Sequence, residues 1–195
     1  VFYGSDQNIF SRIIECSKKY NFDHIVRLTG DNPFIYTKGL INLIKKYSKK
    51  NYDYGFMTNV PDGLKSEIFN LASLKFCKKN AIDQNSSEYL TYFFLRKIFK
   101  ICKYQDKSKN ILNQKVSFTI DYKKQLYELK KIIKYNKGDI LIDKKDLVKG
   151  AIKLNFKKKI KKRKFIKLKC DRYNIKLKTD PVGLRFIRLS DFGII

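Results

Sequence analysis

Short apolar segments and longer amphipathic ones alternate from residue 7 to residue 153, and this alternation constrains the fold more than any other feature. "QNIFSRIIECSKKY" (7–20) sets Ile9/Ile13 and Phe10/Ile14 four residues apart, which predicts an amphipathic helix. "HIVRLT" (24–29) follows as a buried strand. Residues 37–50 place Leu40, Leu43, Ile44 and Tyr47 on one helical face, and "YDYGFMT" (52–58) is short and aromatic, as a strand is. "NVPDGLKS" (59–66) carries the Pro-Asp-Gly signature of a tight turn. "EIF" then begins a short strand and "LASLKFCKKNA" (71–81) a helix. Further on, "SSEYLTYFFLRK" (86–97) reads as a helix capped by Ser86 or Ser87. "IFKICKY" (98–104) and "KVSFTI" (115–120) alternate as strands, and helices are expected over 122–135 and 143–153, the last starting near Asp143.

Strands separated by helical crossovers predict an α/β fold with a mainly parallel sheet flanked by helices. In such sheets ligands bind beyond the carboxyl ends of the strands. Asp31, in "VRLTGDNPFI" (26–35), lies just past one predicted strand, and Asp121 lies just past another. Two carboxylates so placed suit one hard divalent cation such as Mg²⁺, which takes one or two carboxylates together with substrate phosphates. Each also has a purely local reading. Asp31 can shape an Asp-Asn-Pro turn, and Asp121 can cap the following helix. Asn59, Asp62 and Glu67, in "FMTNVPDGLKSEIF" (56–69), are polar groups able to meet sugar hydroxyls, or simply a β-turn with a surface acid.

The formal net charge of +26 in 195 residues raises the question of a polyanionic partner. Lys, Asn, Ile, Tyr and Phe are all abundant, Trp is absent, and the basic residues are spread along most of the chain. That distribution favours a compositional bias over a nucleic-acid site. The competing reading, a basic nucleic-acid-binding module, rests on the tract 157–164 between Phe156 and Phe165. Cys16, Cys77, Cys102 and Cys170 form no C-x-x-C pair, which argues against zinc, and their spacing reads as reduced thiols of a cytoplasmic protein. No apolar run approaches the roughly 18 residues of a membrane span. A single histidine, His24, at the head of an apolar strand, argues against a Ser-His-Asp triad. No G-x-x-x-x-G-K-[ST] or G-x-G-x-x-G motif is present. Val1 opens on what reads as mid-domain sequence, so a fragment is expected. Residues 1–152 read as one domain, 153–179 as a basic linker in which 153–169 could also be a solvated strand pair, and 180–195 as the start of a second domain.

Several blocks stand in a definite order: Val1 to Arg12, Ile25 to Ile35, Tyr52-Asp53-Tyr54, Thr58-Asn59, Pro61 to Phe69, Glu88 to Thr91 and Phe118 to Lys124. That order resembles the nucleotide-sugar cytidylyltransferases, of the spore-coat polysaccharide biosynthesis protein F type, which are related to the acylneuraminate and KDO cytidylyltransferases. The resemblance covers about residues 1 to 150. It implies a Rossmann-like nucleotide-diphospho-sugar transferase fold, N-terminally truncated, and a cytidylyltransferase reaction in which a sugar hydroxyl attacks CTP and pyrophosphate leaves. It implies Mg²⁺ held by Asp31 and Asp121, a cleft lined by Arg27, Gly30, Asn59, Asp62 and Glu67, and a homodimer. It also shows departures. The family's A-R-x-x-S-x-R-L-P-x-K loop has no counterpart here, D-V-E has become Lys65-Ser66-Glu67, and T-P-E-D has become Tyr122-Lys123-Lys124-Gln125. Weak or absent activity of these residues alone, or a degenerate relative serving as a scaffold, follows from those departures.

Overall fold

A computed structural model describes residues 1–6, 8–81, 90–94, 98–107, 116–138 and 142–156, with the backbone of 164–169 and 174–179. Helix α1 spans Ile9–Tyr20. Asn8 caps it by accepting from the Ser11 N–H at 2.9 Å, Asn21 closes it in the left-handed conformation, and Lys18 and Lys19 complement the dipole of its last turn. Strand β1 (His24–Arg27) leads to α2 (Thr37–Tyr47), then β2 (Tyr54–Thr58) and β3 (Glu67–Asn70). Strand β3 passes into α3 (Leu71–Asn80) with no intervening loop, because the Asn70 side chain accepts from the Ser73 N–H at 2.6 Å and serves as the cap. Helix α4 (Leu90–Phe94), β4 (Ile101–Gln105), α5 (Lys123–Tyr135) and α6 (Lys144–Lys153) follow. Strands β5 (Lys164–Lys169) and β6 (Asn174–Thr179) form a separate antiparallel pair, of which only β5 lies within 153–169, the stretch read as a linker or strand pair. The second unit expected at 180–195 and the caps at Ser86 and Ser87 lie outside the described residues.

The main sheet has the order β1-β3-β2-β4. Strand β3 is antiparallel to both β1 and β2, while β4 is parallel to β2. Three strands therefore point one way and one is reversed, giving a mixed sheet in an α/β fold. Alternation along the strands sorts side chains to two faces. Ile68 and Met57 join Leu43, Tyr47, Leu129, Ile132, Leu147 and Val148 on the face covered by α2, α5 and α6. Tyr54, Phe56 and Phe69 join Phe10, Ile14, Leu74, Phe93 and Phe94 on the face covered by α1, α3 and α4. Asp53 ties these layers at one corner. Its carboxylate accepts from the Ser73 hydroxyl, the Asn70 amide and the Lys100 N–H. Burial opposes its ionisation, but these donors prevail and hold the carboxyl below its ordinary range.

Two expectations are corrected. Strand β1 is not buried: among the described residues it is an edge strand, with Val26 36% exposed, and His24 packs its ring edge-on against Tyr47. Residues 116–120 do not form a regular strand. They make one bridge, Ser117 to Asp62, because their N–H groups are spent on two turns instead of a continuous ladder.

Candidate active site

Strand direction gathers the predicted residues at one end of the sheet. Arg27 is the last residue of β1, Asn59 follows β2, and Asp106 follows β4. Glu67 begins the reversed strand β3, opposite Arg27 on one side and Phe56 on the other. One antiparallel strand thus brings its amino end to the carboxyl ends of its neighbours.

Beyond that rim, residues 116–120 stitch two turns together. The Phe118 N–H donates to the Asp62 carbonyl at 2.8 Å, and the Ile120 N–H donates to the Asp31 carbonyl at 2.8 Å. The second bond sets Asp121 beside Asp31, although ninety positions separate them in sequence. Gly63 permits the first contact. Its φ is +86°, and a Cβ there would lie 2.5 Å from the Phe118 carbonyl carbon.

The local turn reading does not describe the Asp31 carboxylate. The Gly-Asp turn is closed by Asn32, whose N–H donates to the Thr29 carbonyl at 3.0 Å and whose side-chain amide donates to the Thr29 hydroxyl at 2.6 Å. Asp31 is solvent-exposed, and among the described residues nothing donates to its carboxylate. Beside it, the Asn32 Oδ1 is buried and has no donor among the described residues. At the start of helix α5, with Tyr122 at the cap position, the Gln125 Oε1 accepts from the N–H groups of Asp121 at 2.7 Å and Tyr122 at 2.8 Å. Asp121 is also exposed. Gly30 borders open space: a Cβ built on it meets no atom within 4 Å. Among the described residues no group of three or more His, Cys, Asp or Glu is arranged to hold a metal ion. A cation here would complete its shell with substrate oxygens.

The remaining predicted residues are engaged within the protein. Glu67 accepts from Arg27 Nη1 at 3.0 Å, from the Tyr54 hydroxyl at 2.5 Å, and from the Thr91 hydroxyl. Arg27 and Glu67 are both about four-fifths buried. Burial first, then Glu67, raises the Tyr54 hydroxyl well above its ordinary pKa, so it stays a donor. Asp62 pairs with Lys65 at 2.5 Å, so the base that replaces an acid in this loop binds the neighbouring acid. Asn59 adopts a left-handed conformation (φ 59°) and donates its amide to the Asp106 carbonyl at 2.7 Å.

Sequence reasoning missed the support beneath Asn59. Lys144 Nζ lies 2.7 Å from Asp106 Oδ2, both side chains 5% exposed, and sits 4.9 Å over the Tyr36 ring. Burial and the Asp106 hydrogen bond raise the Tyr36 hydroxyl well above its usual pKa. The acid after β4 was a visible signal. Lys144 carried none, since a lysine at the first position of a helix ordinarily points to solvent.

Among the described residues no helix is long and apolar enough to cross a membrane. The chain is 32% identical over 123 residues to an uncharacterised protein of Methanocaldococcus jannaschii, covering 62% of this chain and 50% of that protein. It is 29% identical over 94 residues to the spore coat polysaccharide biosynthesis protein SpsF of Bacillus subtilis, covering 48% and 39%. The chain therefore spans half or less of the curated relatives it matches. Its fold is similar to that of a cytidylyltransferase from Leptospira borgpetersenii, with a TM-score of 0.70, 26% identity and coverage of 78% of this chain and 66% of that one. Residues 1–160 match the cytidylyltransferase family. With most of the chain inside that match, and a similar fold in a solved cytidylyltransferase, this protein belongs to the cytidylyltransferase family.

Proposed function

We propose that the protein activates a sugar, a sugar acid by its resemblance, with CTP for the synthesis of a surface polysaccharide or glycoconjugate. The sugar hydroxyl gives up its proton to solvent as its oxygen bonds to the α-phosphorus, the bond from that phosphorus to the bridging oxygen breaks, and pyrophosphate carries the electron pair away. The reading is supported by one observation above the others: the Ile120 N–H to Asp31 carbonyl bond, which brings the backbone just before Asp121 to Asp31, both residues being exposed past the strand ends. Their hard oxygens fit a magnesium ion. Asp31 and Asp121 would hold it, and it would offset charge on the triphosphate and the leaving group.

The other residues take supporting roles. Glu67, held by Arg27, Tyr54 and Thr91, stiffens the floor at the amino end of β3. Asn59 presents its backbone at the rim from the Asp106–Lys144 pair. Gly30 leaves room for a phosphate or ribose to approach the chain. The test is pyrophosphate release by the full-length protein from CTP and Mg²⁺ with a panel of keto-sugar acids. Asp31→Asn and Asp121→Asn should each abolish release while leaving the thermal midpoint unchanged. Full activity in either variant would overturn the assignment.

A further inference from the structure

A groove lies on the flank of the sheet between α2, the end of β4 and the start of α6. Lys38, Lys45, Lys46, Lys49, Lys50, Lys107, Lys144 and Lys145 line it, with Tyr36, Tyr52, Tyr104, Asn42, Asp106 and Asp143. Its two acids are already committed. Asp106 pairs with buried Lys144, and Asp143 caps α6 by accepting from the Lys145 N–H at 2.8 Å. Lys46 donates to the Lys103 carbonyl. Lys38, Lys45, Lys49, Lys50, Lys107 and Lys145 are exposed, and among the described residues none is ion-paired. The floor is neutral and the rim is cationic.

The length of the groove narrows the ligand. Lys38 and Lys45, seven residues apart, share one face of α2 and lie about 10 Å apart along it, and Lys49 follows two residues past its end. That exceeds the reach of one phosphate or carboxylate and suits an extended chain of anions. The aromatic rings narrow it further. Tyr36, Tyr52 and Tyr104 all pack against the core. The Tyr36 ring lies against Gly39, where a Cβ would meet it at 2.3 Å, and has Lys144 on it. The Tyr104 hydroxyl accepts from Asn42 at 3.1 Å. The rings are thus packed against the protein instead of standing as free stacking platforms, on which single-stranded nucleic acids rely. We infer that this groove binds a linear acidic polysaccharide through lysine–carboxylate contacts, beside and distinct from the aspartate pair.

The test reads binding without CTP, so it stands or falls apart from the proposed activity. Fluorescent oligogalacturonate is titrated by anisotropy into the wild-type chain, into the triple variant Lys38→Gln/Lys45→Gln/Lys49→Gln, and into a control triple, Lys130→Gln/Lys131→Gln/Lys134→Gln on α5. A thymidine oligonucleotide of equal charge is run alongside. The groove variant should weaken oligogalacturonate binding about tenfold, the control less than about threefold, and the oligonucleotide should bind more weakly than the glycan. Equal losses in the two triples would reduce the groove to non-specific charge. Tighter binding of the oligonucleotide, with loss in the groove variant, would make the partner a nucleic acid. No glycan binding at about 50 mM salt would remove the inference, since exposed charge pairs act fully at such ionic strength.

Discussion

Asp31 and Glu67 stand at the same end of the same sheet, and their carboxylates have opposite surroundings. Glu67 is four-fifths buried and receives an arginine and two hydroxyls. Asp31 is exposed and receives no donor from the described residues, while its backbone carbonyl is bonded to Ile120. The fold satisfies the first carboxylate and only positions the second. A carboxylate satisfied internally has little left to give a ligand, and one that is merely positioned costs little in stability to remove.

The comparison predicts that substitutions at the two sites separate activity from stability. The largest effect is expected for Asp31→Asn, which should lower pyrophosphate release at least about a hundredfold yet change stability by no more than about 0.5 kcal/mol, as exposed sites do. A urea midpoint moved as far as the activity would erase the distinction. Glu67→Ala should do the reverse, destabilising by about 2–4 kcal/mol because Arg27 is left in a partly buried site without its partner. If Glu67→Ala unfolds at the wild-type urea concentration, Glu67 is no keystone. Gly63→Ala joins the two regions: it forces an unfavourable φ and a clash on Phe118, and should cost about 1–3 kcal/mol while pulling Asp121 from Asp31. Both the thermal midpoint and the activity should fall, and loss of only one would separate Phe118 from Asp121.

A smaller effect is expected at Asp53. Its folded pKa lies below the unfolded value, so its contribution is present above the unfolded pKa and is lost as pH falls through the folded one. Asp53→Asn should therefore flatten the decline in stability below about pH 4, where unfolded aspartate titrates. An unchanged acid limb in urea titrations at stepped pH would remove Asp53 as its source. Lys65→Ala should move least, within about 1 kcal/mol in stability, since the Lys65–Asp62 pair is local and partly exposed. Its readout is the Michaelis constant for the sugar, which should change if releasing Asp62 alters the pocket.

Much of this was legible residue by residue. Ile9, Ile13, Phe10 and Ile14 announce α1, and the Pro61-Asp62-Gly63 turn falls where Gly63 takes a positive φ. The spacing of Leu40, Leu43, Ile44 and Tyr47 marks α2. The reading failed where pairing decides. "HIVRLT" is apolar enough for a central strand, but β1 lies at an edge, and composition does not encode a strand's neighbours. "KVSFTI" alternates like a strand, yet its donors go to Asp31 and Asp62. Direction was equally hidden. Nothing in "EIF" tells that β3 runs against its neighbours and so carries Glu67 to Arg27.

The sequence by itself determined the helices, the turns and the placing of Asp31 and Asp121 after apolar segments, because periodicity and turn chemistry are local. Only the tertiary structure decided that the two aspartates are neighbours, that Glu67 is internally satisfied, and that Lys144 is buried while six other lysines rim a groove. Those outcomes depend on which backbone donors meet which acceptors across long separations, and the chain settles that only when the sheet closes and its helices pack.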